Sequence, residues 1–390
     1  MKKLALLFIT LCLAGSSGAY SFKSGSIFYN ITSSTSPYTV EVTDSTTSNG
    51  GSYFGAVSIP STVTYGGTTY AVTAIGYEAF DQCINLSSVN IPTSITSIGY
   101  YSFSYCTKLT SITIPASVTS FDDGVFEGCT GLTSINIPVS VITLGKGDFW
   151  YCSNLTSITV DASNTNFVNV DGVLFNKNKT TLICYPAGNT ASTYSIPSTV
   201  LAIDSDAFGD CTNLTSITIP SSVISIGSNA LYACRGLTSI SIPSSVTYIG
   251  DNAFGYCIKL ASISAYPTKP VSLTSKYVFD NVDTTTCVLH VPSASLSTYQ
   301  TANVWKSFKH IVGDLSSGIA NTTALAVKIT VANGELQLVG VPSGETLGVY
   351  NAVGASIYTG KTTGSALSIS LPAHGVYIVQ LGNASRKVIY

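Results

Sequence analysis

Apolar and polar positions alternate along this chain in one returning phrase. At 109–114 the order is Leu-Thr-Ser-Ile-Thr-Ile, followed by Pro115. That order predicts a strand with Leu109, Ile112 and Ile114 turned inward and Thr110, Ser111 and Thr113 outward. Pro115 lacks the N–H that a ladder needs, so the strand ends there. The phrase returns as GLTSINIP at 131–138, NLTSITIP at 213–220 and GLTSISIP at 236–243. The step is 23 residues: Cys83, Cys106, Cys129 and Cys152 keep it, as do Cys211, Cys234 and Cys257. Leu86, Leu109, Leu132 and Leu155 share it, and so do Phe80, Phe103, Phe126 and Phe149. After a break it resumes at Phe208, Leu231 and Phe254.

Several positions holding one period over much of a chain define a solenoid. A single 23-residue coil has no interior of its own. Its Leu, Ile and Phe side chains leave water only when coils stack, and each fully buried one then contributes roughly 1.5–3 kcal/mol. The period and the Leu-x-x-Ile-x-Ile spacing predict a β-rich leucine-rich-repeat solenoid with parallel strands, 23 residues to the coil.

The array has edges and an interruption. Residues 20–74 read as an N-terminal β cap, with alternation at 38–42 and a hairpin over 63–70 turning on Gly66-Gly67. Coils fill 75–263. Between Cys152 and Cys211 the gap is 59 residues rather than 23. The insert, about 161–195, carries apolar runs at 170–175 and 181–186 joined by polar 176–180, a hairpin signal. It is either an enlarged coil with a structural hairpin or a binding element on one face. Residues 264–313 read as the C-terminal cap, with a last strand at 287–292 and a short helix capped by Ser293 and running through Trp305 and Phe308. A small polar linker, 314–324, precedes 325–390. There the period vanishes and short alternating strands predict a small β-sandwich, with Ile329 and Val331 facing Leu336 and Leu338 across Asn333-Gly334.

The first residues change the picture of where the chain works. Lys2 and Lys3, an apolar run from Leu4 to Leu13 and Ser17-Gly18-Ala19 form a secretory signal peptide over 1–19. Its apolar run is too short to span a bilayer, and no later stretch approaches that length. Only 9% of residues are charged, against about 25% in an ordinary soluble domain, and the net charge is −2. That excludes the clustered basic residues with which nucleic-acid phosphates are neutralised.

Seven of the nine later cysteines sit at one equivalent place per coil. Their side chains point the same way, whereas a disulfide needs facing Cβ vectors, so small buried thiols are expected. With His290, His310 and His374 the only histidines and no Cys-x-x-Cys pair, neither a metal site nor a cofactor is expected. His-Glu-x-x-His, P-loop and Gly-x-Ser-x-Gly signatures are lacking. Asp122-Asp123 and Asp251 sit at coil turns, where a carboxylate serves backbone N–H groups.

Two surfaces remain as candidates. On the strand face, Thr110, Ser111 and Thr113 lie beside Thr133, Ser134 and Asn136, then Thr156, Ser157 and Thr159. After the insert come Thr215, Ser216 and Thr218, then Thr238, Ser239 and Ser241. This is either a broad binding surface or a run of residues suited to exposed strands. The other candidate is aromatic: Tyr100, Tyr101, Tyr105, Trp150, Tyr151, Tyr232 and Tyr256, on the arc around the Phe and Cys positions.

The unit LTSITIP…V…IG…AF..C, the stretch DGVLFNKNKTTLICYP at 171–186 and CVLHVPSAS…YQTANVWKSF at 287–308 resemble the BspA-type leucine-rich repeats of bacterial surface proteins. Here Cys lies three residues before the first Leu and Val nine after it, so the usual Asn ladder should be absent. The tail, GVYIVQL at 375–381 and KVIY at 387–390, resembles the C-terminal sorting domain of type IX secretion cargo in Bacteroidetes. The resemblance implies a secreted or surface-displayed adhesin for extracellular host or microbial proteins, without catalytic residues. A glycan-binding module, suggested by the aromatic arc, and an enzyme using the solenoid as scaffold are the alternatives.

Overall fold

The computed structural model describes residues 20–45, 51–273, 275–315 and 328–389, the last apart from 333, 342, 352–355, 365, 373–374 and 382–383. Residues 1–19, read above as a signal peptide, lie outside the described residues, as do 316–324 of the expected linker; Asp314 and Leu315 belong instead to the strand His310–Leu315. Two compact units are present, Met1–Ser316 and Ser317–Tyr390.

The first unit is a parallel β-solenoid whose coils have three sides. On the first side runs the recurring phrase. Ser134–Ile137 pairs in parallel with Ser157–Val160, placing Ile135 opposite Ile158. Thr193–Ser195, Ser216–Thr218, Ser239–Ile242, Ser262–Ala265, Val288–Pro292 and His310–Leu315 form one six-stranded parallel sheet in that order. Ile217 faces Ile240 and Ile240 faces Ile263, one period apart. The segment 109–114 departs from expectation. Its Leu109, Ile112 and Ile114 are buried and Thr110, Ser111 and Thr113 exposed, as the alternation predicts, but it is not laddered as a strand.

The second side holds two-residue parallel strands: Ser97–Ile98 and Ser120–Phe121, then Ala202–Ile203, Ser225–Ile226 and Tyr248–Ile249. The glycines that follow Ile98, Ile226 and Ile249 lie against the preceding coil, while Asp122 and Asp204 hold that place after Phe121 and Ile203. A Cβ on Gly250 would stand 2.4 Å from the Ser228 nitrogen. The third side is a ladder of turns. Phe80 N–H donates to the Ser102 carbonyl (2.7 Å), Phe103 to Val125 (2.9 Å) and Phe126 to Asp148 (3.0 Å). Each coil spends two left-handed residues, four apart, to aim these groups along the axis: Tyr101 and Tyr105 both at φ 53°, Gly124 and Gly128 at 70° and 68°, Asp206 and Asp210 at 60° and 58°.

One ring per coil stacks at the centre. Phe80, Phe103, Phe126 and Phe149 lie 5.0, 5.6 and 6.1 Å apart with rings within 10° of parallel. The thiols do more than fill space: Cys106, Cys129 and Cys152 donate Sγ–H to the carbonyls of Phe80, Phe103 and Phe126 at 3.0–3.1 Å, and Cys234 does the same to Phe208. All nine described cysteines are free.

Antiparallel strands Phe22–Ser24, Ile27–Ser33 and Thr39–Thr43 cover the first coil, the last pairing in parallel with Thr68–Ile75. The hairpin turn at Gly66-Gly67 forms with both glycines at positive φ. At the other end two expectations fail. Val288–Pro292 is not the last strand, because His310–Leu315 pairs beyond it. Ser293 does not cap the helix; its hydroxyl is taken by the Gly313 carbonyl (2.7 Å), and the helix Leu296–Thr301 begins without a side-chain cap. Trp305 and Tyr299 close this end, with Trp305 Nε1 donating to the Val271 carbonyl and the Tyr299 hydroxyl to that of Pro267.

The insert contains three antiparallel strands, Phe167–Val170, Val173–Asn176 and Thr181–Cys184, one more than the sequence predicts. The third pairs in parallel with Ala202–Ile203 and so re-enters the second side. The interior divides here. One apolar cluster runs from Phe22 to Leu174 and the other from Val173 to Phe308.

The second unit is a sandwich of two antiparallel sheets. Lys328–Ala332, Glu335–Val339 and Ala366–Ser370 form one; Ser356–Lys361, Thr346–Asn351, Val376–Leu381 and Ala384–Ile389 form the other. Ile329 pairs with Leu338 and Val331 with Leu336, as the Asn-Gly turn requires. Leu336, Leu338 and Ile369 of one sheet meet Leu347, Val349 and Val379 of the other in a single core.

Candidate interaction surfaces

The strand face exists as two groups. Thr110, Ser111, Thr113, Thr133, Ser134, Asn136, Thr156 and Thr159 are exposed on the three coils before the insert, with Ser157 half-buried. Thr215, Thr218, Thr238, Ser239 and Ser241 are exposed beyond the insert, with Ser216 half-buried. The groups belong to separate sheets. Between them, Gly172 of the insert lies against Ser157, and its carbonyl accepts from Ile158 N–H at 2.9 Å.

Part of this hydroxyl surface is already committed. Thr156 Oγ1 donates to the Thr133 carbonyl (3.1 Å), Thr215 to Ser192 (3.0 Å) and Thr238 to Thr215 (3.4 Å). The first Thr of these three phrases therefore serves the ladder. Ser134, Asn136, Ser239 and Ser241 sit on the next positions, and Asn136 Oδ1 accepts from Thr159 Oγ1 at 3.0 Å.

The aromatic arc is assembled on the third side. Trp150 stacks on Tyr151 with centroids 4.6 Å apart and meets Tyr232 edge-on at 5.7 Å, and Tyr232 contacts Tyr256 at 5.1 Å. Tyr101 and Tyr105 lie over Gly124 and Gly128 of the following coil. Tyr105 donates its hydroxyl to Glu127 at 3.3 Å, and Tyr100 is 47% exposed.

Sequence reasoning misses a cleft. The second side pairs Ser120 with Thr143 and then stops; the next strand there is Thr181–Cys184 of the insert. Between them opens a space of about 380 Å³, lined by residues that include Lys146, Asp148, Trp150, Phe167, Cys184, Asp204 and Asp206. Asp148 is 3% exposed; its Oδ1 accepts from Val125 N–H at 3.1 Å and its Oδ2 from Gly145 N–H at 2.8 Å. Burial outweighs those bonds and holds its carboxyl well above the usual range. Burial also raises Asp206 to about 6, against the pull of the Asn229 amide and the Lys146 ammonium. A signal was present: equivalent coil positions hold Ala79, Ser102, Val125, Ala207, Ala230 and Ala253, and only here an acid. Among the described residues no group of three or more His, Cys, Asp or Glu could hold a metal ion, and no helix is long and apolar enough to cross a membrane.

The BspA-type leucine-rich repeat region matches residues 68–182 and 184–303 in six copies. The chain belongs to the BspA-type leucine-rich repeat family. Among solved structures, this BspA-type protein is similar to a leucine-rich repeat protein from Eubacterium ventriosum, at 27% identity and a TM-score of 0.50, over 71% of this chain and 78% of that one. It also matches a leucine-rich cell surface protein from Faecalibacterium prausnitzii (24% identity, TM-score 0.44, 74% and 93% covered). The pneumococcal vaccine antigen PcpA matches at 18% identity and a TM-score of 0.48, over 77% and 100%. No curated protein matches the sequence. BspA-type repeats provide the scaffold of stacked coils; the cleft lies where this chain departs from their regular period.

Proposed function

We propose that the protein is exported and displayed at the cell surface, where its solenoid adheres to host or microbial proteins through the strand face. The observation that carries this reading is the exposure of short, uncharged polar side chains on both groups of coils: Ser134 and Asn136 ahead of the insert, Ser239 and Ser241 beyond it. These side chains lose little entropy when covered and present no charge to desolvate, which suits a broad interface built over many coils. Membership of a repeat family that serves as scaffold supports binding over catalysis.

The test is binding of the purified chain to immobilised extracellular matrix proteins and to whole cells. Saturable binding is expected. Lysine at Ser134, Asn136, Ser239 and Ser241 together should weaken it at least tenfold, and unchanged binding would remove this face from consideration. The tail's likeness to type IX sorting domains extends the proposal: without 325–390 the protein should remain inside the producing cell, as fractionation would show.

A further inference from the structure

We propose that the third side of the solenoid, ahead of the insert, docks an arginine-rich segment of a partner polypeptide on Tyr100, Tyr101 and Tyr105, which lie between two acidic coils. This surface is distinct from the strand face and does not depend on the adhesion reading.

Three successive turns build it, 77–82, 100–105 and 123–128. Backbone bonds hold them in register: Glu78 N–H donates to the Tyr100 carbonyl (2.9 Å), Tyr101 to Asp123 (3.1 Å) and Tyr105 to Glu127 (2.6 Å). The first turn supplies Glu78 and Asp81 and the last Asp123 and Glu127; the middle one has no acid and three tyrosines. Tyr100, Tyr101 and Tyr105 are 47%, 38% and 41% exposed, and Tyr77 of the first turn 62%. Gly124 and Gly128 let two of these rings reach across onto the next coil. A Cβ there would stand 2.4 Å from the Tyr101 ring and 2.5 Å from that of Tyr105.

Carboxylates crowd these rings. Tyr101 is within electrostatic reach of Glu127, Asp123, Asp206 and Glu78, and Tyr105 of Glu127 and Asp81. Burial, and after it Asp206 and Asp81, raises the Glu127 carboxyl against the hydrogen bond from Tyr105. Counter-charge is scarce. From 75 to 140 the one cationic residue is Lys108, whose Nζ donates to Asn85 Oδ1 at 2.7 Å, and Lys146 on the next coil lies toward Asp206. Among the described residues the one ion pair joins His290 to Asp314, at the other end of the solenoid.

The partner must therefore bring positive charge and a flat group for the rings. A guanidinium brings both, since it stacks on a tyrosine face while its N–H groups donate to carboxylates. An ammonium brings charge without the plane. An anion would be repelled, and a neutral sugar would leave the carboxylates without a counter-charge. One exposed ion pair adds little, so several must form together. The two acidic turns are about 10 Å apart, the span of about three residues of extended chain, so one segment reaches both.

The purified chain is titrated by calorimetry with a peptide of alternating Arg and Ser, about 12 residues long, at about 50 and about 300 mM salt. Lys-Ser and Gln-Ser peptides of the same length and a neutral trisaccharide of N-acetylglucosamine are the comparisons. Saturable binding of the arginine peptide is expected, weaker at the higher salt, at least fivefold weaker with lysine, and absent with glutamine and with the sugar. Glu78→Gln combined with Glu127→Gln should weaken it at least tenfold. Tyr100→Ser, at an exposed ring, should weaken it at least threefold while keeping the wild-type melting temperature. Asp161→Asn combined with Asp171→Asn removes the same charge from the insert and should leave the affinity unchanged. No saturable binding of the arginine peptide overturns the proposal. So does affinity indifferent to salt, equal affinity for the lysine peptide, equal loss in the two double variants, or binding of the sugar in the peptide's place.

Discussion

Leu174 and Phe175 are neighbours in one strand, and each is fully buried in a different core. The pleat turns successive side chains to opposite faces, so Leu174 enters the cluster that begins at Phe22 while Val173 and Phe175 enter the one that ends at Phe308. Most strands of a solenoid bury one face. Val173–Asn176 buries both, and through it the two stacks are joined.

Truncating these neighbours should loosen different halves. Leu174→Ala is expected to cost about 2–5 kcal/mol and Phe175→Ala about 3–5 kcal/mol. Hydrogen exchange should rise chiefly in residues before 170 for the first and chiefly after 180 for the second. The same exchange pattern in both variants would contradict a strand shared by two cores.

Gly128 at φ 68° lies under the ring of Tyr105, where an added Cβ would stand 2.5 Å from Cδ1. Gly128→Ala should therefore destabilise by about 1–3 kcal/mol, combining backbone strain with displacement of the ring. Tyr105→Ala in the same chain should recover part of that loss. Thermal melts of the two single variants and the double variant read the coupling.

Alkaline pH should unfold the protein early. Burial raises the thiols of Cys184 and Cys257 to about 12 and those of Cys83 and Cys287 to about 11, from an ordinary 9.0. Above pH 9 the unfolded chain releases thiol protons that the folded chain keeps. Stability is thus whole below 9 and falls as pH rises toward the folded values, by up to about 1.4 kcal/mol per pH unit for each fully buried thiol. Denaturant midpoints from pH 7 to 11 test this. A thiol reagent at pH 8 should label the native chain slowly and the unfolded chain fast.

Asp206 has the same sign at lower pH. Its ordinary value is 3.8 and its folded value about 6, so its contribution is full below 3.8 and lost as pH rises through 6. Asp206→Asn should stabilise the chain at pH 7.5, on the order of 1–3 kcal/mol, with the gain shrinking by pH 4. Asn also tolerates the left-handed backbone at this position, φ 60°. Melting temperatures at the two pH values decide it.

Removal of one whole coil, such as 212–234, should preserve folding better than removal of half of one. The ladders re-form in register after a deletion of 23 residues and not after 11 or 12. Equal loss of stability in the two deletions would contradict additive stacking.

The sequence made the first side legible because Leu, Ile and Pro recur there with one meaning each. Leu109, Ile112 and Ile114 are buried where the alternation puts them. The third side was not legible. Its left-handed positions hold Tyr101, Gly124, Asp206, Asn229 and Asn252, residue types that share no simple signal. The thiol bonds were also missed, since spacing shows that cysteines stack but not that Sγ of Cys129 reaches the Phe103 carbonyl. The cleft depends on where the insert's third strand rejoins the coil, a long-range pairing that local pattern does not contain. Asp148 among the alanines was its only trace in the chain.

The doubly buried strand works as a dowel between two prefabricated stacks. Repeats ahead of it or behind it can be duplicated or lost without altering the joint, as long as Leu174 keeps one socket and Phe175 the other. The length of either half is thereby free to drift in whole floors, while the seam, with the cleft beside it, stays a fixed landmark.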